Sequence, residues 1–300
     1  MEHQTRVPER LIVVDNASTD SSESVMENRP DWIQLIPLEV NTGFARGNNI
    51  ALSYLLTYDY IALLNPDTLP DKDWLKNLLA ATQRHNTIDC YGSKMLEMDP
   101  KSVDGTGDSY HVNGLYWRRD NGRKVGSAAN TESEIFSACA AASLYPRKSL
   151  TDLLGFDEDY FCYSEDIDLG FRLRNRGSKF WYIPDAIVQH AGSGTTGRHS
   201  DFSIYYGHRN LVWTYVQNMP GKYFWMYLPQ HLLLNIVSII VFCIRGQSRV
   251  ILKAKWDALC GLRSAFSKRK LNQYMRLVSS KELIRTMKKG WISPYLNRHE

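Results

Sequence analysis

The sequence predicts an α/β fold, a sheet covered by helices in three layers, followed by a C-terminal helical extension. Three observations carry this. Between Leu11 and about Tyr182, short apolar runs alternate with helical patterns, as a helix-covered sheet requires. Runs such as LIVVD (11–15) are continuous and β-branched, like strands buried on both faces. Residues 216–300 lose that alternation and become first apolar, then basic, which divides the chain into 1–215 and 216–300. The 300 residues are 43% hydrophobic, 12% aromatic and 23% charged, which excludes a disordered, collagen-like or disulfide-stapled protein.

In order, LIVVD is a strand, and the cap-rich NASTDSSES (16–24) after it should open a helix. IQLIPL (33–38) is a second strand and ARGNNIALSYLLTY (45–58) has helical apolar spacing. YIALLN (60–65) is a third strand that stops at Asn65-Pro66-Asp67-Thr68. Proline cannot continue a central strand, so Asp67 is presented at the carboxyl edge, where open α/β sheets bind ligands. DKDWLKNLLAATQRH (71–85) reads as a packing helix behind an Asp cap. Residues 97–133 are polar and aperiodic, a long loop or small hairpin excursion at the mouth of a site. IFSACAAASLYPRKSL (135–150) is small and apolar. DYFCYSEDIDLGFRLRNRG (159–177) predicts a helix with an acidic start, a basic end and a terminal Gly. SKFWYIPDAIVQH (178–190) is a strand broken by Pro184, with a Gly/Ser/Thr-rich loop after it.

The net charge of +4 is unevenly spread. Residues 245–300 hold fourteen Lys or Arg against three acids, a net of +11, which leaves −7 on the first 244. A basic tail on an acidic body suggests an anionic membrane surface as neighbour. No groove-reading motif is visible and the aromatics are not interleaved with the basic residues, so nucleic acid is not expected. Residues 223–244 carry no charge and end in LLLNIVSIIVFCI. About 20 apolar residues span a bilayer, but Pro229, Gln230, His231, Asn235 and Ser238 dilute the stretch. The reading is a helix lying in or against a membrane in preference to a full span, with burial in a homodimer as the alternative. Five scattered cysteines (Cys90, Cys139, Cys162, Cys243, Cys260) without CxxC spacing read as reduced thiols, and the polar opening residues show no secretion signal. The expectation is a cytoplasmic protein, peripheral at the inner face of the cytoplasmic membrane.

Two acidic centres could carry chemistry: Asp67 at a strand end, and Glu165-Asp166 with Asp168 at a helix start, while His190 ends a later strand. Asp67 with His190 would give a divalent cation hard ligands and leave positions for phosphate oxygens. Asp166 or Glu165 could then be general base to a hydroxyl. Singly, each has a plainer reading: Asp67 as turn residue, the acids as helix caps, His190 as a strand-end hydrogen bonder.

The ordered set VVDNASTDSS, NTGFARGNN, LLNPDT, CAAASLYPRKSL, GFDEDYFCYSEDIDLGFRLRNRG and IPDAIVQHAGSGT closely resembles the inverting glycosyltransferase family two, nearest to bacterial rhamnosyltransferase-like and galactofuranosyltransferase-like members. The resemblance covers about residues 10–215. It implies the GT-A fold, a nucleotide-diphosphate-sugar donor bound with Mg or Mn, and a glycan or lipid-linked glycan acceptor. Position by position, it implies that Asp15 and Asn16 contact the nucleotide, and that Asn41, Gly43 and Arg46 lie in the loop beneath it. Asn65-Pro66-Asp67 stands for an Asp-x-Asp motif whose first Asp is Asn here, so the metal contact falls to Asp67, with His190 as second ligand. Asp166 matches the base, Glu165 its neighbour, and Arg209 would grip the diphosphate. The sequence departs from the family in lacking the usual first strand and helix before LIVVD. That loss would expose strand edges and open one wall of the donor pocket. It is read as a start placed too late, a gene remnant, or a short form completed by another chain. The activity implied is transfer of a sugar, from dTDP-rhamnose or a UDP-sugar, to a lipid-linked or cell-surface polysaccharide. The alternative is a pseudoenzyme or scaffold without donor binding.

Overall fold

The computed structural model describes residues 1–20, 29–127, 130–191 and 200–291. The helix expected after LIVVD and the Gly/Ser/Thr-rich loop fall largely outside these. The chain opens with β1 (Leu11–Asp15), paired in parallel and in register with β2 (Ile33–Pro37), and then α1 (Gly43–Leu52). A second sheet of seven strands is built around β5 (Cys90–Glu97) and β11 (Phe180–His190), which run parallel. Outward from them lie β10 (Ala142–Pro146) and β3 (Tyr60–Leu64) on one side, and β4 (Thr68–Pro70) on the other. The short β6 (Val103–Gly105) pairs with β5 and β9 (Ser133–Ile135) with β11.

Period-two alternation sorts each strand between two cores. In β3, Ile61 and Leu63 join Ala45 of α1, Tyr145, Phe180, and Leu169 and Leu173 of α4 (Glu165–Asn175). Tyr60, Ala62 and Leu64 point the other way, to Trp74, Leu75 and Leu78 of α2 (Trp74–Thr82). Helices therefore cover both faces, and the three-layer α/β expectation holds. A third core joins the hairpin β7 (Asp108–Tyr110) and β8 (Tyr116–Arg118) to the C-terminal helices α5 (Asp201–Asn218), α6 (Tyr223–Ile244), α8 (Leu262–Tyr274) and α9 (Ser280–Arg285), while α7 (Ser248–Cys260) packs on α5 and α6. Tyr110, Phe136 and Phe171 pack there with Tyr215, Phe224, Ala265 and Leu283.

β1 and β3 do not pair. They border a groove of about 320 Å3 lined by Leu11 and Ile12 on one side and residues 60–64 on the other. Among the described residues no strand lies between them. The residues before β1 are irregular, and buried Gln4 accepts from Leu75 N at 3.0 Å, capping α2.

Several elements differ from the sequence reading. α1 ends at Leu52, six residues early, because residues 53–58 become turns. Pro184 does not end its strand; β11 continues to His190 through a register shift between Ile183 and Ile187, since a bulge absorbs the missing donor. The helix expected from Asp159 begins only at Glu165, after a 3-10 turn (Glu158–Tyr160) and a left-handed stretch. The polar excursion of 97–133 contains β6 and the β7–β8 hairpin.

Candidate active site

Two groups of side chains gather at the loops between these elements. In the first, Asp15 ends β1 and accepts from the Ser18 backbone N–H at 3.2 Å and from its hydroxyl. Asn16 holds the start of α1: its Oδ1 accepts from Thr42 N at 2.7 Å and its Nδ2 donates to Gly43 O at 3.0 Å. Asn41 Oδ1 accepts from Gly43 N at 2.9 Å. Gly43 has φ +83°, and a Cβ there would lie 2.5 Å from the Phe161 ring, so only glycine lets the two loops approach. Arg46 is exposed, 3.9 Å from Glu158.

The second group follows from strand register. β4 and β11 pair antiparallel with His190 opposite Thr68, and Ala191 N donates to Asp67 O at 2.9 Å. That pairing sets His190 Nε2 3.4 Å from Asp67 Oδ2. His190 Nδ1 lies 2.9 Å from Asp104 Oδ2, and a carboxylate accepts, so Nδ1 carries the hydrogen and Nε2 faces Asp67. A proton on Nε2 or a bound cation would bridge the two. Asp67 Oδ1 is also buried without a hydrogen-bond partner among the described residues. The pair thus fits a divalent cation with a carboxylate behind the imidazole. Among the described residues no cluster of three His, Cys, Asp or Glu is formed, so two protein ligands would leave the other positions to phosphate oxygens and water. Asn65 works through its backbone, N to Ala141 O and O from Thr68.

Asp104 is shared. Arg118 Nη1 donates to its Oδ2 at 2.5 Å, and Nη2 to Cys139 Sγ at 3.0 Å. Arg118 crosses above Gly105, where a Cβ would sit 2.2 Å from its Cγ. Burial pushes the Asp104 carboxyl up, but the His190 hydrogen bond and the Arg118 charge outweigh it, and its pKa lies below the ordinary value. The neighbouring acids go the other way. Burial raises Asp166, with Arg118 opposing. Burial, then the Asp166 charge, raise Glu165 and Asp108 well above the carboxylate range. Glu165 Oε2 is buried without a partner among the described residues. Asp168, by contrast, is committed to Arg172 and Asn218, both at 2.7 Å, and is structural.

The loop that presents Asp166 is held in unusual backbone. Phe161, Tyr163 and Ser164 have φ of 64°, 66° and 68°. Buried Asn210 on α5 donates to the carbonyls of Tyr160, Cys162 and Tyr163 at 2.8–2.9 Å. Tyr116 on the hairpin meets Ser164 Oγ at 2.6 Å. Arg209 corrects the sequence reading. Its guanidinium donates to Asp159 O, Tyr160 O and Asn210 Oδ1 and stacks on Trp213 at 4.2 Å, so it clamps this loop rather than standing free for a diphosphate. The same loop touches Gly43 at Phe161 and carries Asp166 at its end, joining the two groups.

Asp67, His190, Glu165 and Asp166 were legible from strand ends and a helix start. Asp104, Asp108, Arg118 and Asn210 were missed. The only signal was the unexplained length of the 97–133 excursion. A cavity of about 560 Å3 opens beside Asp108 among Arg119, Arg174 and Lys288, but it includes neither Asp67 nor His190.

The model of the family described as glycosyl transferase family 2 matches residues 2–154. The chain is similar to the N-acetylglucosaminyl-diphospho-decaprenol L-rhamnosyltransferase of Mycobacterium tuberculosis, 26% identical over 215 residues, 65% of this chain and 70% of that one. It is similar to the O-antigen chain rhamnosyltransferase WbaN of Salmonella anatum, 25% identical over 196 residues, 64% of this chain and 59% of that one. The solved mannosyltransferase PcManGT of Pyrobaculum calidifontis, in complex with GDP-Man and Mn2+, aligns at TM-score 0.52 and 17% identity over 91% and 79% of the two chains. That likeness is one of fold.

Proposed function

The chain belongs to glycosyl transferase family 2, and on that premise we propose that it is an inverting enzyme moving a sugar from a nucleotide-diphosphate-sugar to a hydroxyl of a lipid-linked or surface polysaccharide. The rhamnosyltransferase relatives favour dTDP-rhamnose over a UDP-sugar as donor. The observation that carries the proposal is the placement of Asp67 Oδ2 against His190 Nε2 at 3.4 Å, beside buried carboxylates whose affinities for a proton are driven apart.

Asp67 and His190 would hold Mg2+ or Mn2+, with Asp104 fixing the imidazole tautomer. When bound, the cation supplies charge neutralisation at the diphosphate as it leaves. Asp166 takes the proton of the acceptor hydroxyl while its oxygen bonds to the anomeric carbon from the face opposite the diphosphate. Its raised pKa suits a base that must accept a proton near neutral pH. Glu165 meets the acceptor or orients it. Asp15, Asn16 and the 41–46 loop form the floor under the nucleotide.

The groove between β1 and β3 favours a second reading, a scaffold that keeps the fold without donor binding. Isothermal titration with UDP, dTDP and GDP, with and without Mn2+, separates the two. Manganese-dependent binding of one nucleotide that Asp67→Ala abolishes supports the enzyme; no binding to any of them supports the scaffold.

A further inference from the structure

Helix α6 is long and apolar enough to cross a membrane by length and composition, yet its two faces differ. The face toward the protein carries the polar residues. His231 is buried, its Nδ1 2.8 Å from Asn113 O and its ring stacked on Tyr215 at 3.9 Å between centroids. Asn235 donates to His231 O at 2.7 Å and accepts from Lys255 Nζ of α7 at 2.6 Å. These bonds tie α6 lengthwise to α7 and to the loop after β7, which a membrane-crossing helix could not keep. The outer face is apolar. Trp225, Leu232, Leu233, Ile236, Ile240 and Ile244 are exposed at spacings of three, four and seven, with Ile244 81% exposed. On α7, Leu252, Trp256 and Leu259 continue the surface, with Arg249 and Lys253 exposed among them. Such a contiguous apolar face exceeds what a soluble surface normally shows.

We propose that α6 and α7 form a docking face for an anionic lipid bilayer, lying in its plane with the apolar stripe at the acyl boundary and the α/β layers upright on it. Charge complementarity selects this occupant. Residues 245–300 carry +11 while the first 244 carry −7, so the bilayer attracts the tail and repels the body. Trp225 and Trp256 take the interfacial level that indole rings favour, and Arg249 extends toward headgroups. The inference places the active site beside a surface from which a lipid-linked acceptor would be drawn. It rests on the helix faces alone, so vesicle binding and nucleotide binding fail separately.

The test is flotation of the full chain with vesicles of phosphatidylcholine, alone and with phosphatidylglycerol added. Binding is expected to the anionic vesicles and to weaken with salt. Brominated lipids should quench tryptophan fluorescence. Alkaline carbonate should release the bound protein from the vesicles, as it does a helix that lies on the surface. Ile236→Glu with Ile240→Glu should lower partitioning about a hundredfold, with unchanged circular dichroism and melting showing that the fold survives. Absence of binding to anionic vesicles would overturn the proposal. So would resistance of the bound protein to carbonate extraction, which indicates a span. A dimer that the double glutamate variant dissociates would also overturn it, because a second copy would then cover the face.

Discussion

Asp104 and Asp108 stand four residues apart on one excursion, yet their surroundings drive them in opposite directions. Asp104 has Arg118 and His190 as partners and is held below the ordinary carboxylate pKa, whereas buried Asp108 feels Asp166 and rises. Asp104→Asn should therefore leave His190 without its orienting charge and weaken manganese-dependent nucleotide binding about 10–100-fold, read by titration, while nucleotide binding without metal changes little. Asp166→Asn should lower kcat about 10²–10⁴-fold with donor affinity nearly intact. Asp108→Asn acts on pH. A carboxyl with a raised folded pKa holds its proton more tightly when folded, a stabilisation present below the ordinary range and lost as pH rises through the raised value. Asparagine has no such proton, so the variant should gain in melting temperature over the wild type as pH climbs from acid to neutral. Asp67 and His190 can be singled out because they stand where apolar runs stop, and Asp166 only within the ordered set of motifs, since its helix starts six residues after the expected Asp159. Asp104, Asp108 and Arg118 sit on three-residue strands, too short for alternation to register, and meet only once the hairpin has folded back.

At the level of elements, residues 159–164 show how a distant contact overrides local pattern. The sequence reading opens a helix at Asp159, yet three non-glycine residues take positive φ, at a cost of about 1–3 kcal/mol each. Asn210, nearly fifty residues away, offsets this by bonding three carbonyls with one amide. No window around residue 160 contains that information, which is why the helix start was misplaced. Asn210→Ala takes the amide donor from the Cys162 and Tyr163 carbonyls, while Tyr160 O keeps Arg209, and should destabilise the protein by about 1–3 kcal/mol. If the loop only packs, kcat should survive at temperatures below melting. If it positions Asp166, kcat should fall there while nucleotide affinity stays, and the second outcome is expected. The strands β1, β2 and β3 were legible because they are apolar runs, whereas β5, with Gly92, Ser93 and Lys94 in its middle, was not read as a strand.

Across the whole molecule, the division at residues 215/216 read from composition meets a helix and a core that both cross it. α5 runs from Asp201 to Asn218, and the third core mixes Tyr110, Phe136 and Phe171 with Phe224, Ala265, Leu283 and Met287. The backbone joins in: Lys288 N donates to Tyr110 O at 2.8 Å and Val112 N to Lys288 O at 3.0 Å, while Leu277 N donates to Asn175 O at 2.7 Å at the end of α4. The hairpin carrying Asp108, Tyr116 and Arg118 is therefore sandwiched between the α/β layers and the C-terminal helices. A chain ending at Asn218 would keep every residue proposed for catalysis but strip this hairpin of half its apolar contacts and its backbone partner. It should lose its cooperative thermal transition, bind a hydrophobic dye, and fail to bind nucleotide with manganese. A cooperative melt with intact donor binding would instead show that the layers stand alone and that the helices serve only as the docking face. The first outcome is expected because Arg118, which stands between the Asp67–His190 pair and Asp166, is carried on a hairpin that packs against those helices.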